Sequence, residues 1–502
     1  MLVRTAALAL CIALGCATPE SGTPIDTPTA APAITPSAAP PVEVPLVPLN
    51  REALDARVHA QRSALGSEGG LFEDERGKPV PWISPSAGTQ PGDPSFDDDL
   101  LDSLPGSSGL GSDVQLDGPR ANGNALGLFE PIDDAAPLAH FHDALRLLRS
   151  GRDPDGKVRI AIYGASHTEA DIYPQYLRSY LQDRFGDGGH GFVMPGLPWR
   201  GYDQVDVKVE GFDHWRTEHA QRRDARGDGR WGLLGASIST KNPRAFGRVI
   251  PGEGAAASRY ELSFLAQPRG GHLELYVDGR RREVIDTSAD TTRAGYHAFE
   301  LQEAAHVIEV RPLGDGEVRL FGLTMERANE GVVVDTLGIA GTRASNMLEW
   351  DLAIWQDALR RRAPDLLILA FGTNEATDTD QPIVDYEARL HAVLVRYRET
   401  VPNASCLLVG PGDFPLPAPD GTLGVRPRVG EIIAVQERVA MEHGCGFWDL
   451  RAFMGGEQSM LQWMTADPPM AQKDHIHLTR RGYVRMGMAL ADALMTAFDE
   501  PT

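Results

Sequence analysis

The feature that most constrains the fold is an alternation of short apolar runs with helical patterns, which is interrupted once. KVRIAIYG at 157–164 is rich in apolar and β-branched residues, as expected for a strand that is buried on both faces. A helical pattern follows, with Pro174 at its first position and Gly186 past its end. Beyond residue 330, helical segments alternate with four more such runs: GVVVDTLGI, DLLILAFG, SCLLVGPG and GFWDL. This alternation predicts an α/β domain on a mostly parallel, helix-covered sheet.

A block of different character, residues 200–328, separates the first run from the other four. Short alternating runs such as SRYELSFLAQ, HLELYVDG and EVRLFGLTMER are separated there by turn residues, without helical stretches. Such a pattern is typical of an antiparallel sandwich. We therefore predict one α/β domain, formed by residues 127–199 and 329–502, into which an antiparallel β-sandwich is inserted at 200–328.

The amino-terminal segment carries the signs of export. MLVR is a basic start, and TAALALCIALG is an apolar run of signal-peptide length that is too short to span a bilayer. It leads into ALGC, which resembles a bacterial lipobox. Residues 1–16 are therefore predicted to be a lipoprotein signal peptide, with Cys16 as the lipid-bearing first residue of the mature protein. An ordinary secretory signal is the alternative.

Residues 17–126 are rich in Pro, Thr and Ala and then in Gly and Asp, and they contain one short helical pattern at 51–65. Such a composition predicts a largely disordered tether. Together with the signal, it predicts a chain that is exported and lipid-anchored on the periplasmic side of a bacterial envelope. Ala17 gives no strong reason for retention in the inner membrane, so the outer membrane is favoured.

Charge and cysteine content exclude some functions and leave one question open. With 70 acidic and 48 basic residues the net charge is −22, so the electrostatic footprint of a nucleic-acid-binding protein is absent. No Cys/His spacing resembles a metal site. Cys406 and Cys445 could pair in an oxidising compartment, or each could be a free thiol in a buried strand. The sequence favours neither reading.

Residues with catalytic chemistry follow the predicted strands, where the functional groups of open α/β sheets gather. Ser166 follows the first strand, Gly341 follows the second and Asn374 follows the third. Asp474 and His477 lie three residues apart in the loop before the last helix. A serine nucleophile needs an oriented base, and its oxyanion needs fixed donors. We predict a triad of Ser166, His477 and Asp474. The predicted oxyanion hole comprises the Ser166 and Gly341 N–H groups and the Asn374 amide.

These motifs resemble those of the SGNH (GDSL-like) hydrolases, which are named after their Ser, Gly, Asn and His. GASHT, GIAGT, GTNEA and DHIHL correspond to blocks one, two, three and five of that family. Over residues 127–199 and 329–502, the resemblance implies a flavodoxin-like, three-layer α/β fold that needs no metal or organic cofactor. Two positions depart from the family. Ala165 replaces the usual Asp before the serine, which concerns the support of the oxyanion loop, and Glu375 follows Asn374 where Asp is commoner.

The inserted sandwich, with SHT and GTNEA, resembles the peptidoglycan O-acetylesterase branch, whose hydrolase domain is interrupted by a carbohydrate-binding-module-like jelly roll. The resemblance implies removal of O-acetyl groups from an acetylated polysaccharide, namely the muramic acid of peptidoglycan, through an acetyl-serine intermediate. An O-acetyltransferase, an esterase for another polysaccharide and a non-catalytic wall-binding lipoprotein remain alternatives. His167 is either a substrate contact or a local hydrogen-bonding residue. Three tryptophans are predicted to be core rather than sugar-stacking residues: Trp199, Trp215 and Trp231.

Overall fold

The computed structural model describes Ile132 and residues 136–417 and 422–499. The predicted signal peptide with Cys16, the tether and the helical pattern at 51–65 lie outside these residues. Within them, no helix combines the length and the apolarity needed to cross a bilayer.

The first part of the α/β domain begins with a 3-10 turn at Ala136–Leu138. Its regular elements are α1 (Ala139–Arg149), β1 (Lys157–Gly164), α2 (Ser166–Glu169), α3 (Ile172–Phe185) and β2 (Gly191–Val193). Strand β1 matches the predicted run residue for residue. Helix α3 begins before Pro174, because Asp171 turns the chain with a φ of 52° and its carbonyl accepts the Gln175 N–H at 3.0 Å.

The next block consists of strands, with a single 3-10 turn at Glu253–Ala255. Its strands are β3 (Val207–Glu210), β4 (Arg216–His219), β5 (Ala236–Thr240), β6 (Gly247–Pro251), β7 (Ala257–Ala266), β8 (His272–Val277), β9 (Arg280–Asp286), β10 (Arg293–Ala304), β11 (Ile308–Pro312) and β12 (Val318–Glu326).

The chain then returns to alternating strands and helices. The elements are β13 (Gly331–Gly338), α4 (Leu352–Arg362), β14 (Leu366–Ala370), α5 (Ile383–Thr400), β15 (Ser405–Val409), β16 (Leu416–Pro417), β17 (Leu423–Gly424), α6 (Pro427–Glu442), β18 (Gly446–Trp448), α7 (Leu450–Met454), α8 (Ser459–Thr465) and α9 (Arg480–Asp499), with 3-10 turns at Ala344–Glu349 and Glu375–Thr377. Residues 346–362, NMLEWDLAIWQDALRRR, have a helical pattern, but the α-helix begins only at Leu352. There Asp351 caps the helix by accepting the Ile354 N–H at 3.0 Å.

The main sheet has the order β13-β1-β14-β15-β18, and every neighbouring pair is parallel. Numbered along the chain, this is the order 2-1-3-4-5 of flavodoxin-like folds, whose ligands bind where the order reverses, beside the first strand. Gly164 is in register with both Gly338 and Ala370, so the three central strands end at one level. The predicted α/β fold class is confirmed.

Helices cover both faces of this sheet, which makes the domain three-layered. Residues of β1 alternate between two buried clusters. Ile160 and Ile162 pack with helices α1, α3 and α9, whereas Ala161 and Tyr163 pack with α4, α5 and α6. This period of two is the expected consequence of a strand with both faces covered.

The inserted block forms two antiparallel sheets. One has the order β10-β7-β12-β5-β4 with β2 added beside β12, and the other has the order β3-β6-β11-β8-β9. Leu262 and Leu320 of the first sheet share a buried cluster with Leu275 and Val310 of the second, as in a sandwich. Strand β2 belongs to the sandwich sheet, although it lies in the range assigned to the hydrolase part from sequence.

A disulfide joins Cys406, in β15, to Cys445, immediately before β18. The sequence left this pairing open. The two strands are parallel neighbours in the main sheet, which brings the two cysteines together near the amino ends of the strands.

Candidate active site

The loops that follow β1, β13 and β14 meet at the carboxyl edge of the main sheet. Ser166 is the first residue of α2, directly after β1, while Gly341 and Asn374 follow β13 and β14. Since β1 is hydrogen-bonded to both other strands, it lies between them and the serine lies between the two predicted donor loops. This edge is where the strand order reverses.

Ser166, His477 and Asp474 form a continuous hydrogen-bonded chain. The Ser166 Oγ lies 2.8 Å from His477 Nε2, and His477 Nδ1 lies 2.7 Å from Asp474 Oδ2. An ionised Asp474 accepts a hydrogen bond from Nδ1–H, which leaves Nε2 unprotonated and free to accept the serine proton. The three side chains are therefore arranged for the removal of a proton from the serine hydroxyl.

The loop around Asp474 keeps this carboxylate ionised. Its Oδ1 accepts the N–H groups of Ile476 and His477, both at 3.0 Å. Burial raises the pKa of Asp474, but the hydrogen bonds from His477 and these two N–H groups outweigh it and lower the pKa to about 2. Because α9 begins at Arg480, just beyond this loop, His477 is fixed close to a long, packed helix.

His167 has a local partner rather than an open position. Its Nδ1 lies 2.9 Å from the hydroxyl of Tyr483, on α9, and its ring lies 5.3 Å from that of His477. Burial, followed by the nearby His477, lowers the pKa of His167 to about 3, so it is neutral at physiological pH. Between the two readings of this residue, the structure favours local hydrogen bonding. A neutral His167 also adds no positive charge beside the neighbouring imidazole.

The predicted oxyanion donors lie on two adjacent loops. Gly341 has a φ of 77°, a conformation that favours glycine. Within the described residues, neither its N–H nor that of Ser166 has an intramolecular acceptor. The Asn374 Nδ2 donates to the Thr342 carbonyl at 2.8 Å, which uses one of its two N–H groups. Among the described residues, these N–H groups of Ser166, Gly341 and Asn374 have no protein acceptor, so they stay the candidate oxyanion donors.

Two buried carboxylates hold the loop that carries Gly341. Glu375 accepts the Ala344 N–H at 2.9 Å and the Gly372 N–H at 3.0 Å, which ties the loop after β13 to the loop after β14. Burial raises the pKa of Glu375, whereas these backbone hydrogen bonds lower it. Glu169 accepts the N–H of Ala340 on the other side of Gly341. Sequence reasoning did not identify Glu169, because its partner is far away in the chain.

Ala165 is buried, and its carbonyl closes the serine turn by accepting the N–H groups of Thr168 at 3.0 Å and Glu169 at 2.9 Å. Its methyl group has no polar atom with which to support a loop. Glu169, three residues after the nucleophile, does bond the loop that carries Gly341, through the Ala340 N–H.

The three tryptophans pack in or against the buried core, as expected from the sequence. Trp199 and Trp231 are buried, and Trp215 packs against the same cluster. Trp199 nevertheless reaches the site, because its indole N–H donates to Glu169 at 2.6 Å. Among the described residues, no group of three or more His, Cys, Asp or Glu side chains could hold a metal ion.

A flavodoxin-like sheet with a Ser–His–Asp chain beside its first strand has the fold and the site of an SGNH serine hydrolase. Residues 313–485 match the family model described as GDSL-like Lipase/Acylhydrolase family. This range contains Gly341, Asn374, Asp474 and His477, whereas Ser166 precedes it because the sandwich is inserted between them.

Solved structures with an esterase activity are similar to this chain. The chain is similar to a structure described as "Peptidoglycan O-acetylesterase in action, 5 min", with 26% identity and a TM-score of 0.60, over 74% of this chain and 99% of that one. A family two carbohydrate esterase from Cellvibrio japonicus matches with 12% identity and a TM-score of 0.25, over 58% and 98% of the two chains. No curated protein sequence matches the chain. The chain carries a GDSL-like acylhydrolase domain and is an esterase.

Proposed function

We propose that this chain is an exported serine acetylesterase that removes O-acetyl groups from a cell-wall polysaccharide, most specifically from peptidoglycan. The observation that carries the proposal is the distance of 2.8 Å between Ser166 Oγ and His477 Nε2. His477 is in turn hydrogen-bonded to Asp474, which completes the triad. The substrate is suggested by the similarity to a peptidoglycan O-acetylesterase along 99% of that protein's chain.

The proposed reaction has two halves. In the first, His477 takes the Ser166 proton, and Oγ attacks the acetyl carbonyl carbon. The resulting oxyanion accepts hydrogen bonds from the N–H groups of Ser166, Gly341 and Asn374. His477 then donates its proton to the departing sugar oxygen, and the ester C–O bond breaks. In the second half, His477 activates a water that attacks the acetyl-serine, which releases acetate and restores the serine.

The proposed location is the periplasmic side of a bacterial envelope, with a lipid anchor at Cys16 and the outer membrane as the favoured membrane. The motif ALGC supports the anchor. The bond between Cys406 and Cys445 supports export, because structural disulfides persist mainly in oxidising compartments.

The proposal is tested by measuring acetate release from O-acetylated peptidoglycan and from an acetylated plant polysaccharide, without an added acceptor sugar. We expect the wild-type protein to release acetate from peptidoglycan. The Ser166→Ala variant should lose at least about 10⁴-fold in rate, because the nucleophile is gone. Glu300→Gln, an exposed change on the sandwich strand β10, is the folded control.

Each alternative has its own outcome in this experiment. Acetate release only from the plant polymer would contradict the peptidoglycan assignment. Loss of acetyl groups from peptidoglycan only when an acceptor sugar is present, with the acetyl group recovered on that sugar instead of as acetate, would indicate an acetyltransferase. Equal rates for wild type and Ser166→Ala would overturn the acetyl-serine mechanism, and binding without turnover would favour a wall-binding lipoprotein.

A further inference from the structure

A buried carboxylate outside the triad joins the nucleophile turn to the oxyanion loop. Glu169 is the last residue of α2, the short helix that Ser166 begins. One of its oxygens, Oε2, accepts the backbone N–H of Ala340, and Oε1 accepts the indole N–H of Trp199 at 2.6 Å. Both oxygens therefore have a directed donor, and each donor lies on a different segment of the chain.

The contact with Ala340 acts directly beside the predicted oxyanion donor. The peptide plane that contains the Ala340 N–H is separated from the plane that contains the Gly341 N–H only by φ and ψ of Ala340. Fixing the first plane therefore limits the directions in which the second N–H can point. Gly341 needs such a limit, because a Cβ placed on it meets no atom within 4 Å.

Strand β13 is shaped to allow this contact. A Cβ on Gly338, at the end of the strand, would lie 2.2 Å from the Glu169 nitrogen. The glycine lets the backbone of the serine turn lie directly against the strand end. Glu169 can then reach Ala340, which lies two residues further along.

Trp199 holds the other side of the carboxylate and connects it to the inserted sandwich. The indole is buried and packs edge-on against Tyr202 at 5.6 Å and against His219 of strand β4 at 5.7 Å. Its N–H is thereby directed at Glu169 by groups outside the active-site loops.

Glu169 is not held in place by an ion pair, because both of its hydrogen-bond donors are neutral N–H groups. Burial raises its pKa to about 7, although the bonds from Trp199 and Ala340 lower it, and the nearby Asp203 raises it further. A carboxylate in such a place costs folding free energy relative to an apolar side chain. A role in positioning the loop accounts for its presence.

We propose that Glu169, held by Trp199, is a positioning residue that directs the Gly341 N–H toward the oxyanion. This inference rests on the proposed serine-esterase function of the same site. It assigns to Glu169 the support that Ala165, without a polar side chain, cannot provide. It also makes the sandwich a contributor to the geometry of catalysis through Trp199.

The test compares Glu169→Gln and Trp199→Phe with wild type in the hydrolysis of p-nitrophenyl acetate. Glutamine keeps one acceptor oxygen and turns an NH₂ group toward the other donor. We expect kcat of Glu169→Gln to fall by about 10–100-fold with KM changed by less than about twofold, because the loss arises in the transition state. Trp199→Phe should lose about 3–10-fold in kcat, because one bond to the carboxylate is removed.

The double variant is the sharpest measurement. Since both residues act through one contact, the double variant should lose no more kcat than Glu169→Gln alone. Phosphonylation of Ser166 by a p-nitrophenyl phosphonate should slow in parallel, because the phosphonyl oxygen occupies the position of the oxyanion. Two matched controls should keep wild-type kcat. Glu300→Gln is exposed, and Trp215→Phe removes an indole bond to the Phe246 carbonyl, 2.7 Å long, within the sandwich.

A kcat within about twofold of wild type in Glu169→Gln, with only a lower unfolding temperature, would overturn the inference. If that variant does not fold, Trp199→Phe decides in the same way, because it keeps the carboxylate. p-Nitrophenyl acetate requires only acyl-serine chemistry. Wild-type protein that is inactive on this ester would therefore refute the serine-esterase proposal. If the protein hydrolyses the ester but not peptidoglycan, the effect of Glu169 on kcat can still be measured.

Discussion

At the residue scale, the pKa of each buried carboxylate in the site depends on how far hydrogen bonds offset the effect of burial. Asp474 receives an imidazole and two backbone N–H groups, and its pKa falls to about 2 despite burial. Glu169 receives two neutral N–H groups, and burial dominates, so its pKa rises to about 7. The first carboxylate is therefore ionised at neutral pH, whereas the second titrates near neutrality.

This difference predicts a pH-dependent stability. The folded protein holds the Glu169 proton more tightly than the unfolded chain does. The stability that protonation of Glu169 contributes to the folded protein is therefore full below pH 4.5 and is lost as the pH rises to about 7. A shift of about 2.5 pH units corresponds to about 3 kcal/mol. We expect the free energy of unfolding of wild type, minus that of Glu169→Gln, to fall by about this amount between pH 4.5 and pH 8 in urea titrations. Asp203, whose pKa burial raises to about 6, titrates in both proteins. Parallel pH profiles would contradict the assignment.

At the scale of elements, the site depends on short loops that glycines permit and carboxylates hold. The loop after β13 is fixed before Gly341 by Glu169 and after it by Glu375. Some elements follow from local pattern, such as β1, which spans the predicted run KVRIAIYG at 157–164. Strands β4 and β9 were not predicted. RTEH is short and polar, and RRREVID begins with three arginines, so neither shows clear alternation.

Alanine substitutions at two glycines distinguish the effect of backbone strain on stability from an effect on catalysis. Gly341 and Gly279 have φ values of 77° and 74°, and a Cβ on either meets no atom within 4 Å. Alanine at each should lower the free energy of unfolding by about 1–2 kcal/mol, from backbone strain alone. Only Gly341→Ala should also lower kcat by about tenfold or more, because it disturbs an oxyanion donor, whereas Gly279 lies in the β8–β9 turn of the sandwich. Equal kcat values for the two variants would argue against Gly341 as a donor.

At the scale of the whole molecule, the disulfide and the candidate catalytic loops lie at opposite ends of the strands of the parallel sheet. The disulfide lies near the amino ends of β15 and β18, and the catalytic loops lie at the carboxyl ends of β1, β13 and β14. The inserted sandwich shares a buried cluster with one face of the sheet, so the two parts are packed together rather than linked only by the chain.

Replacing Cys406 and Cys445 by alanine should therefore lower stability without removing activity. The bond closes a loop of 39 residues, and its loss should reduce the free energy of unfolding by about 2–4 kcal/mol, chiefly by freeing the unfolded chain. Urea unfolding measures this change, and hydrolysis of p-nitrophenyl acetate at 25 °C should stay within about twofold of wild type. Loss of activity with unchanged stability would show that the bond acts on the site.

The amino-acid sequence by itself determined the α/β class, the inserted sandwich and the residues proposed for the site. Strand runs, helical periodicity and the motifs around Ser166, Gly341, Asn374 and His477 are local patterns that need no knowledge of neighbours. The absence of the usual Asp at Ala165 was also visible, but its consequence was not.

Only the tertiary structure decided which distant segments meet. The strand order, the addition of β2 to the sandwich and the pairing of Cys406 with Cys445 depend on the path of the whole backbone. Glu169 is 171 residues from Ala340 and 30 from Trp199, and no periodicity relates such positions. Their contact arises because β1 and β13 are neighbours in the sheet and the sandwich packs beside them, which is a property of the fold rather than of any local pattern.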